Sequence, residues 1–129
     1  MRRFLTSLLL IAPSLIFAMG SQPSSSLLIP AKIVDKEGKV HKVVSIVCND
    51  KTFFTFKDGA VELKVPFERI DRLEILKKEG DFLKVKVLFK DGSQKEFLIS
   101  SDVYCTGTTK YGTLEAYIDQ FKEIDFLNQ

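Results

Sequence analysis

The sequence predicts an all-β fold: two tandem five-stranded repeats that share a core, each with a short 3₁₀ or helical turn before its last strand. Three observations lead there. Val61, Leu63 and Val65 alternate with Glu62 and Lys64, and Leu83, Val85, Val87 and Phe89 alternate with Lys84 and Lys86. A period of two is the mark of a half-buried strand. Gly-containing turn signals separate these runs. The pattern of residues 59–75 then returns at 112–126, where Leu114 answers Val61, Glu115 answers Glu62, and Phe121, Ile124 and Phe126 answer Ile70, Leu73 and Ile75.

Residues 1–20 read as a signal peptide. Arg2 and Arg3 form a charged start, an apolar run follows from Phe4 to Ala18, and Ala18-Met19-Gly20 offers small residues for cleavage before Ser21. The run falls short of the roughly 20 apolar residues of a spanning helix and contains Pro13. The chain carries 19 basic and 17 acidic residues; Arg2 and Arg3 leave with the leader, so the mature part is expected to carry 17 of each. A mature domain without net charge lacks the electrostatic footprint of a nucleic-acid binder. The expected location is periplasmic or secreted, with contact to a membrane only through an uncleaved leader.

Residues 21–30 are rich in Ser and Pro and read as a flexible linker. The first repeat, 31–77, opens with a strand at Ile33 and Val34. Lys36-Glu37-Gly38 suits a three-residue hairpin loop, which sets Val34 opposite Val40. The returning strand is predicted from Val40 to Cys48, dense in β-branched residues, and Asn49-Asp50 is a turn signal. The next strand is Thr52 to Phe56. A two-residue turn at Asp58-Gly59 pairs Phe56 with Val61, Phe54 with Leu63, and Thr55 with Glu62. Pro66 has no N–H for a ladder and ends that strand. Phe67 to Ile70 suits one helical turn, and Leu73 and Ile75 resume a strand.

Lys77 to Asp81 is predicted to be a loop leading into the second repeat, 78–129. Phe82 to Lys90 is a strand. A three-residue loop Lys90-Asp91-Gly92 pairs Val85 with Phe97, Leu83 with Ile99 and Lys86 with Glu96. Ser101 to Tyr111 reads as a loop followed by a short strand. Leu114 to Tyr117, a turn near Asp119 to Phe121, and Lys122 to Leu127 complete the copy. Gly38 aligns with Gly92 and Val43-Val44 with Phe97-Leu98, a spacing of about fifty residues. A unit that short buries little surface and is marginal alone, so the copies are expected to pack through one core.

Five short strands with a 3₁₀-like turn before the fifth resemble the SH3-like and Sm-like small barrels, over most of residues 31–127. The chain also resembles exported bacterial β-rich proteins with a Gly-x-aliphatic…Ile-x-x-Ile-x-Phe repeat, through Gly112, Leu114, Phe121, Ile124 and Phe126. Neither resemblance brings a signature for RNA or polyproline binding.

Two cysteines, Cys48 and Cys105, remain for an exported chain, and an even count there reads as a structural disulfide. Two buried thiols or a redox pair are the alternatives; a redox pair usually sits in Cys-x-x-Cys, which is missing here. His41 is the sole histidine and lies in a predicted strand. No His/Cys/Asp cluster has ligand spacing and no serine sits in a Gly-x-Ser-x-Gly elbow. Glu68 with Asp71, and Asp119 with Glu123, are better read as capping or solvated acids than as acid–base pairs. No catalytic residue, metal or cofactor is therefore expected.

Binding is the expected role, with an envelope protein, peptide or glycan as partner. The stretch from Tyr104 to Tyr111, with Tyr104, Thr106, Thr108 and Tyr111, suits polar recognition, although Thr and Tyr also simply favour strands. Phe53, pointing away from the core beside Lys64, is a second candidate contact. The reading is an exported non-enzymatic binding or scaffolding protein. The competing reading is a small secreted hydrolase or inhibitor-like module using the Tyr104–Tyr111 loop.

Overall fold

The computed structural model describes residues 28–127; the predicted leader and residues 21–27 of the linker lie outside the described residues. The first five strands are β1 (Ala31–Asp35), β2 (Val40–Val43), β3 (Ile46–Cys48), β4 (Phe53–Asp58) and β5 (Val61–Pro66). After a 3₁₀ turn at Phe67–Arg69 come β6 (Ile70–Glu79), β7 (Phe82–Phe89), β8 (Gln94–Ser100), β9 (Tyr104–Thr109) and β10 (Gly112–Tyr117). A second 3₁₀ turn at Ile118–Gln120 leads into β11 (Phe121–Phe126). Among the described residues there is no α-helix, and the fold is all-β.

The strands form an 8-stranded antiparallel sheet in the order β2-β1-β11-β6-β7-β8-β4-β5 and a 3-stranded sheet in the order β10-β9-β3. Neither sheet closes on itself. Strands far apart in sequence interleave: β11 lies between β1 and β6, and β8 lies beside β4. Backbone bonds also join segments outside the strand ladders. Lys36 N–H donates to Gln120 O at 2.9 Å, and Lys90 N–H to Arg69 O at 3.0 Å. Phe67 N–H donates to Thr52 O at 2.9 Å, and Ile118 N–H to Val103 O at 2.8 Å.

Both three-residue hairpins have the predicted register. Val34 faces Val40, with Asp35 N–H donating to Lys39 O at 2.9 Å. Val85 faces Phe97, Leu83 faces Ile99 and Lys86 faces Glu96.

Elsewhere the structure corrects the expectation. The strand predicted from Val40 to Cys48 bends at Val44-Ser45, because its first half pairs with β1 and its second half with β9. In the β4–β5 hairpin Phe56 faces Leu63, Phe54 faces Val65 and Thr55 faces Lys64, a slip of two from the predicted pairing. Gly59, at φ 65°, takes the first turn position and Ala60 the second; a positive φ at the first position alone is the type II′ pattern. A slip of two preserves the faces, so Phe54 and Phe56 still point inward. Val61 and Leu63 are exposed because β5 is an outermost strand. Of the loop predicted from Lys77 to Asp81 only Gly80-Asp81 is a turn, because β6 runs to Glu79, which pairs with Phe82. Within Ser101 to Tyr111, predicted to be a loop followed by a short strand, the strand spans Tyr104–Thr109 and is the centre of the small sheet.

Buried residues from both sheets join in one hydrophobic cluster. Phe67 is fully buried, with its ring centroid 4.7 Å from Phe54 and 4.8 Å from Phe126, so β4, the first 3₁₀ turn and β11 meet at one point. Phe56 stacks on Phe97 at 4.9 Å, joining β4 to β8. Such pairs add about 0.5–1.5 kcal/mol beyond the area they bury. Cys48 and Cys105 face each other across β3 and β9 with their sulfurs at disulfide distance, 2.11 Å, and both are buried. No polar or charged residue is buried among the described residues.

Candidate functional site

The small sheet has a dry face and a wet one. Along β9 the side chains alternate: Cys105 and Gly107 are buried, while Tyr104, Thr106 and Thr108 turn to solvent. The ladder to β10 sets Tyr104 opposite Tyr117, Thr106 opposite Glu115, and Thr108 opposite Thr113. The two tyrosine rings meet edge to face at 5.0 Å, and the Tyr104 hydroxyl donates to Glu115 Oε1 at 3.1 Å. Partial desolvation, then the bond to Glu115, raises the Tyr104 phenol above its usual value.

This face is held firmly at one end. Tyr104 N–H donates to Asn49 Oδ1 at 2.9 Å, and Asn49 N–H donates to Tyr104 O at 2.7 Å. Asn49 and Asp50, at φ 52° and 60°, form the tight turn closed by Cys48 and Lys51. Asn and Asp are the non-glycine residues that tolerate that conformation best. The Cys48–Cys105 pair lies directly beneath, so the aromatic pair stands on a cross-linked base.

The five predicted contact residues thus separate into three places. Tyr104, Thr106 and Thr108 share the outward face of the small sheet. Tyr111 sits in the turn after β9, 88% exposed, with Lys110 Nζ 5.2 Å from its ring centre. It borders a groove of about 560 Å³ with Val40, His41, Lys42, Val44, Thr109 and Lys110. Phe53 is half-buried on β4 with Lys64 Nζ 5.6 Å over its ring. It lines a different groove of about 460 Å³, together with Lys51, Lys57, Lys64, Glu62, Asp102 and Leu98.

His41 is a brace. Its Nε2 lies 2.9 Å from Asp35 Oδ2, while Asp35 Oδ1 accepts from the Glu37 and Lys39 amides at 2.8 and 3.0 Å. These bonds, His41 first, hold the Asp35 carboxyl below its usual value. Glu68 and Asp71 are exposed. Asp119 and Glu123 point to different neighbours: Asp119 accepts from Gln120, and Glu123 belongs to a charged patch on the large sheet. There Arg72 Nε donates to Asp125 Oδ1 at 2.6 Å and lies 3.9 Å from Glu123, with Lys32 3.4 Å from Asp125. Burial first, then Asp125, raises the Glu123 carboxyl above its usual value. Among the described residues no set of three or more His, Cys, Asp or Glu is placed to hold a metal ion. Within the same residues, no helix is long and apolar enough to cross a membrane.

Sequence reasoning missed Tyr117 and the Arg72 patch. Tyr117 was legible in the alternation of Thr113, Glu115 and Tyr117, once Tyr104 to Thr109 is seen as its partner strand. Arg72 and Asp125 carry no local signal, because 53 residues separate them and only strand register unites them.

A sequence model of a family described as "Uncharacterised protein" matches residues 26–129. An "Uncharacterized protein" of Aquifex aeolicus (strain VF5) is 30% identical over 129 residues, covering 98% of this chain and 96% of the relative.

Proposed function

The chain belongs to that family of uncharacterised proteins, and we propose that it is an exported, non-enzymatic binding module of the bacterial periplasm or envelope. Its signal peptide spans residues 1–20. The wet face of the small sheet is its recognition surface for an envelope protein, peptide or glycan. A single observation carries the reading: Tyr104 and Tyr117 stand as an edge-to-face pair among Thr106, Thr108, Thr113 and Glu115, on a disulfide-backed strand that spends these side chains on solvent. Aromatic rings with hydroxyls around them supply large contact area at small entropy cost, which suits recognition better than bond-breaking.

In the same proposal the scaffold is a duplicated five-stranded unit, residues 31–77 and 78–129, whose halves exchange strands. Two series, β6-β7-β8-β4-β5 and β11-β1-β2/β3-β9-β10, place corresponding strands in the same order. The recurring backbone bonds of Lys36 and Lys90, and of Phe67 and Ile118, support that correspondence. The layout resembles a pair of small SH3-like barrels sharing one core. Exchange would free the outer face of β9 for binding while its inner face holds the halves together.

The test is retention. The protein purified after expression of its full chain is immobilised and challenged with envelope extract, beside a Tyr104→Ala/Tyr117→Ala variant that keeps the disulfide. The same retained component should be lost at least about tenfold in the variant, the scale of an aromatic hot spot. Equal retention by both removes this face from the function. A cytoplasmic location of the full chain on fractionation removes the exported reading.

A further inference from the structure

β2 is an outermost strand of the large sheet. Antiparallel ladders alternate between bonded and non-bonded pairs. Asp35 and Lys39 form a bonded step at 2.9 Å, so His41 and Val43 turn their backbone groups toward β1. The N–H and C=O groups of Val40 and Lys42 then face the outer edge. β9 covers that edge only from Val44 onward: Val44 N–H donates to Thr108 O at 2.9 Å, and Thr108 N–H to Ser45 O at 3.3 Å. At Thr109 the chain turns back through Lys110-Tyr111 into β10. What remains is a slot of about 560 Å³ with a ready strand edge as one wall and the β9–β10 turn as the other.

The slot is apolar and cationic. Val40 is 54% exposed and Val44 57%, and Tyr111 stands almost wholly in solvent beside them. Lys42 and Lys110 line it, and no carboxylate does. The nearby Asp35 is already engaged by His41 and two loop amides.

The other half of the molecule supplies an internal control. Val34 pairs with Val40 as Leu88 pairs with Gln94, and Thr109 with Gly112 as Asp58 with Val61. At the matching edge Gln94 and Glu96 therefore stand where Val40 and Lys42 stand here, and Gly59-Ala60 replaces Lys110-Tyr111. Lys95 and Asp58 reach across that mouth at 3.7 Å. Charged and polar side chains are how proteins guard an exposed edge against added strands. The matching edge is guarded by this bridging pair of opposite charges, whereas at the β2 edge Lys42 and Lys110 are alike in sign and leave the slot open to a carboxylate.

We propose that the β2 edge takes up an extended acidic peptide segment of a partner, added as a further strand beside Val40–Val43. Main-chain bonds to Val40 and Lys42 hold it, aliphatic side chains rest on Val40, Val44 and the Tyr111 ring, and carboxylates face Lys42 and Lys110. A second copy of this chain fits poorly, since antiparallel β2 edges would bring like-charged Lys42 side chains together. The inference rests on the reading of the protein as a binding module, but uses neither Tyr104 nor Tyr117.

The test uses the oxidised protein from the full chain and two fluorescent, end-capped hexapeptides, alternating Val-Glu and alternating Val-Lys, followed by anisotropy. The acidic peptide should bind at least about tenfold more tightly than the basic one. Lys42→Glu/Lys110→Glu should reverse that preference. Val40→Pro removes a donor facing the slot at the first position of an edge strand, where Pro is tolerated, and should weaken the acidic peptide by a similar factor. Amide shifts on titration should concentrate in residues 40–44 and 108–112. Glu96→Lys, on the guarded edge, should change nothing. Absence of binding, equal binding of the two peptides, or an unchanged affinity in the folded Lys42→Glu/Lys110→Glu variant overturns the proposal. A dimer in sedimentation that Val40→Pro dissolves also overturns it, by assigning the edge to a second copy. Envelope retention that survives failure of the peptide test leaves the Tyr104 face standing, so the two readings fail separately.

Discussion

Gly107→Ala tests the crossing on which the small sheet depends. Gly107 lies where β9 passes the bend at Val44-Ser45, paired with Ile46 on one side and Leu114 on the other. A Cβ added there would lie 2.9 Å from Ser45 O, 3.0 Å from Val43 Cγ1 and 3.1 Å from Val43 Cβ. Carbon atoms settle at about 3.5–4.0 Å, so β9 or the bend must move by roughly half an ångström. Ser45 O belongs to the backbone and cannot swing aside. Retreat stretches the Thr108 N–H to Ser45 O bond, already 3.3 Å, and the Val44 N–H to Thr108 O bond.

Overpacking costs about 1–3 kcal/mol, and a weakened hydrogen bond up to about 1 kcal/mol more. Replacing Gly returns roughly 0.4–1 kcal/mol by restricting the unfolded chain. The net loss is therefore about 2 kcal/mol, which for a domain of this size lowers Tm by roughly 8–16 °C. Thermal unfolding of the oxidised protein, followed by circular dichroism, gives the answer. A variant melting within about 2 °C of the parent means that β9 does not cross the bend at Gly107.

Reducing the Cys48–Cys105 bond, which closes a separation of 57 residues, should remove about 4 kcal/mol on the chain-entropy account. Urea unfolding with and without reductant measures this, and coincident midpoints contradict a stabilising cross-link. Glu123→Gln should stabilise the protein near pH 7 and have little effect near pH 3. A carboxyl raised in the folded state holds its proton more tightly there. Its ionisation costs stability as pH rises from the ordinary glutamate range through the raised value, and below that range both states are protonated. Melting curves of parent and variant at the two pH values decide it; an equal shift at both, or a loss near pH 7, contradicts the cause assigned to Glu123.

What the sequence alone determined was local. The loops Lys36-Glu37-Gly38 and Lys90-Asp91-Gly92 dictate the registers of their hairpins, because a few residues between two alternating runs leave one pairing that puts both apolar faces on the same side. Pro66 followed by Phe67 was enough to stop β5 and begin a single 3₁₀ turn. Where two turn registers keep the same faces, as at Asp58-Gly59-Ala60, alternation cannot choose, and the observed slip of two is the result.

Only the tertiary structure decided which distant strands become neighbours. Nothing near Phe121 says that β11 will lie between β1 and β6, and nothing near Tyr104 says that β9 will sit between β3 and β10. Those choices come from burying Phe54, Phe67 and Phe126 in one cluster and from joining Cys48 to Cys105. Tyr104 and Thr106 were visible as candidates from their residue types. The charged patch at Arg72 and the open edge at Val40 were not, since each exists only once a particular pair of strands lies side by side. Alternation along a chain states which face of a strand is dry; partnership across a sheet is a long-range competition that the whole core resolves.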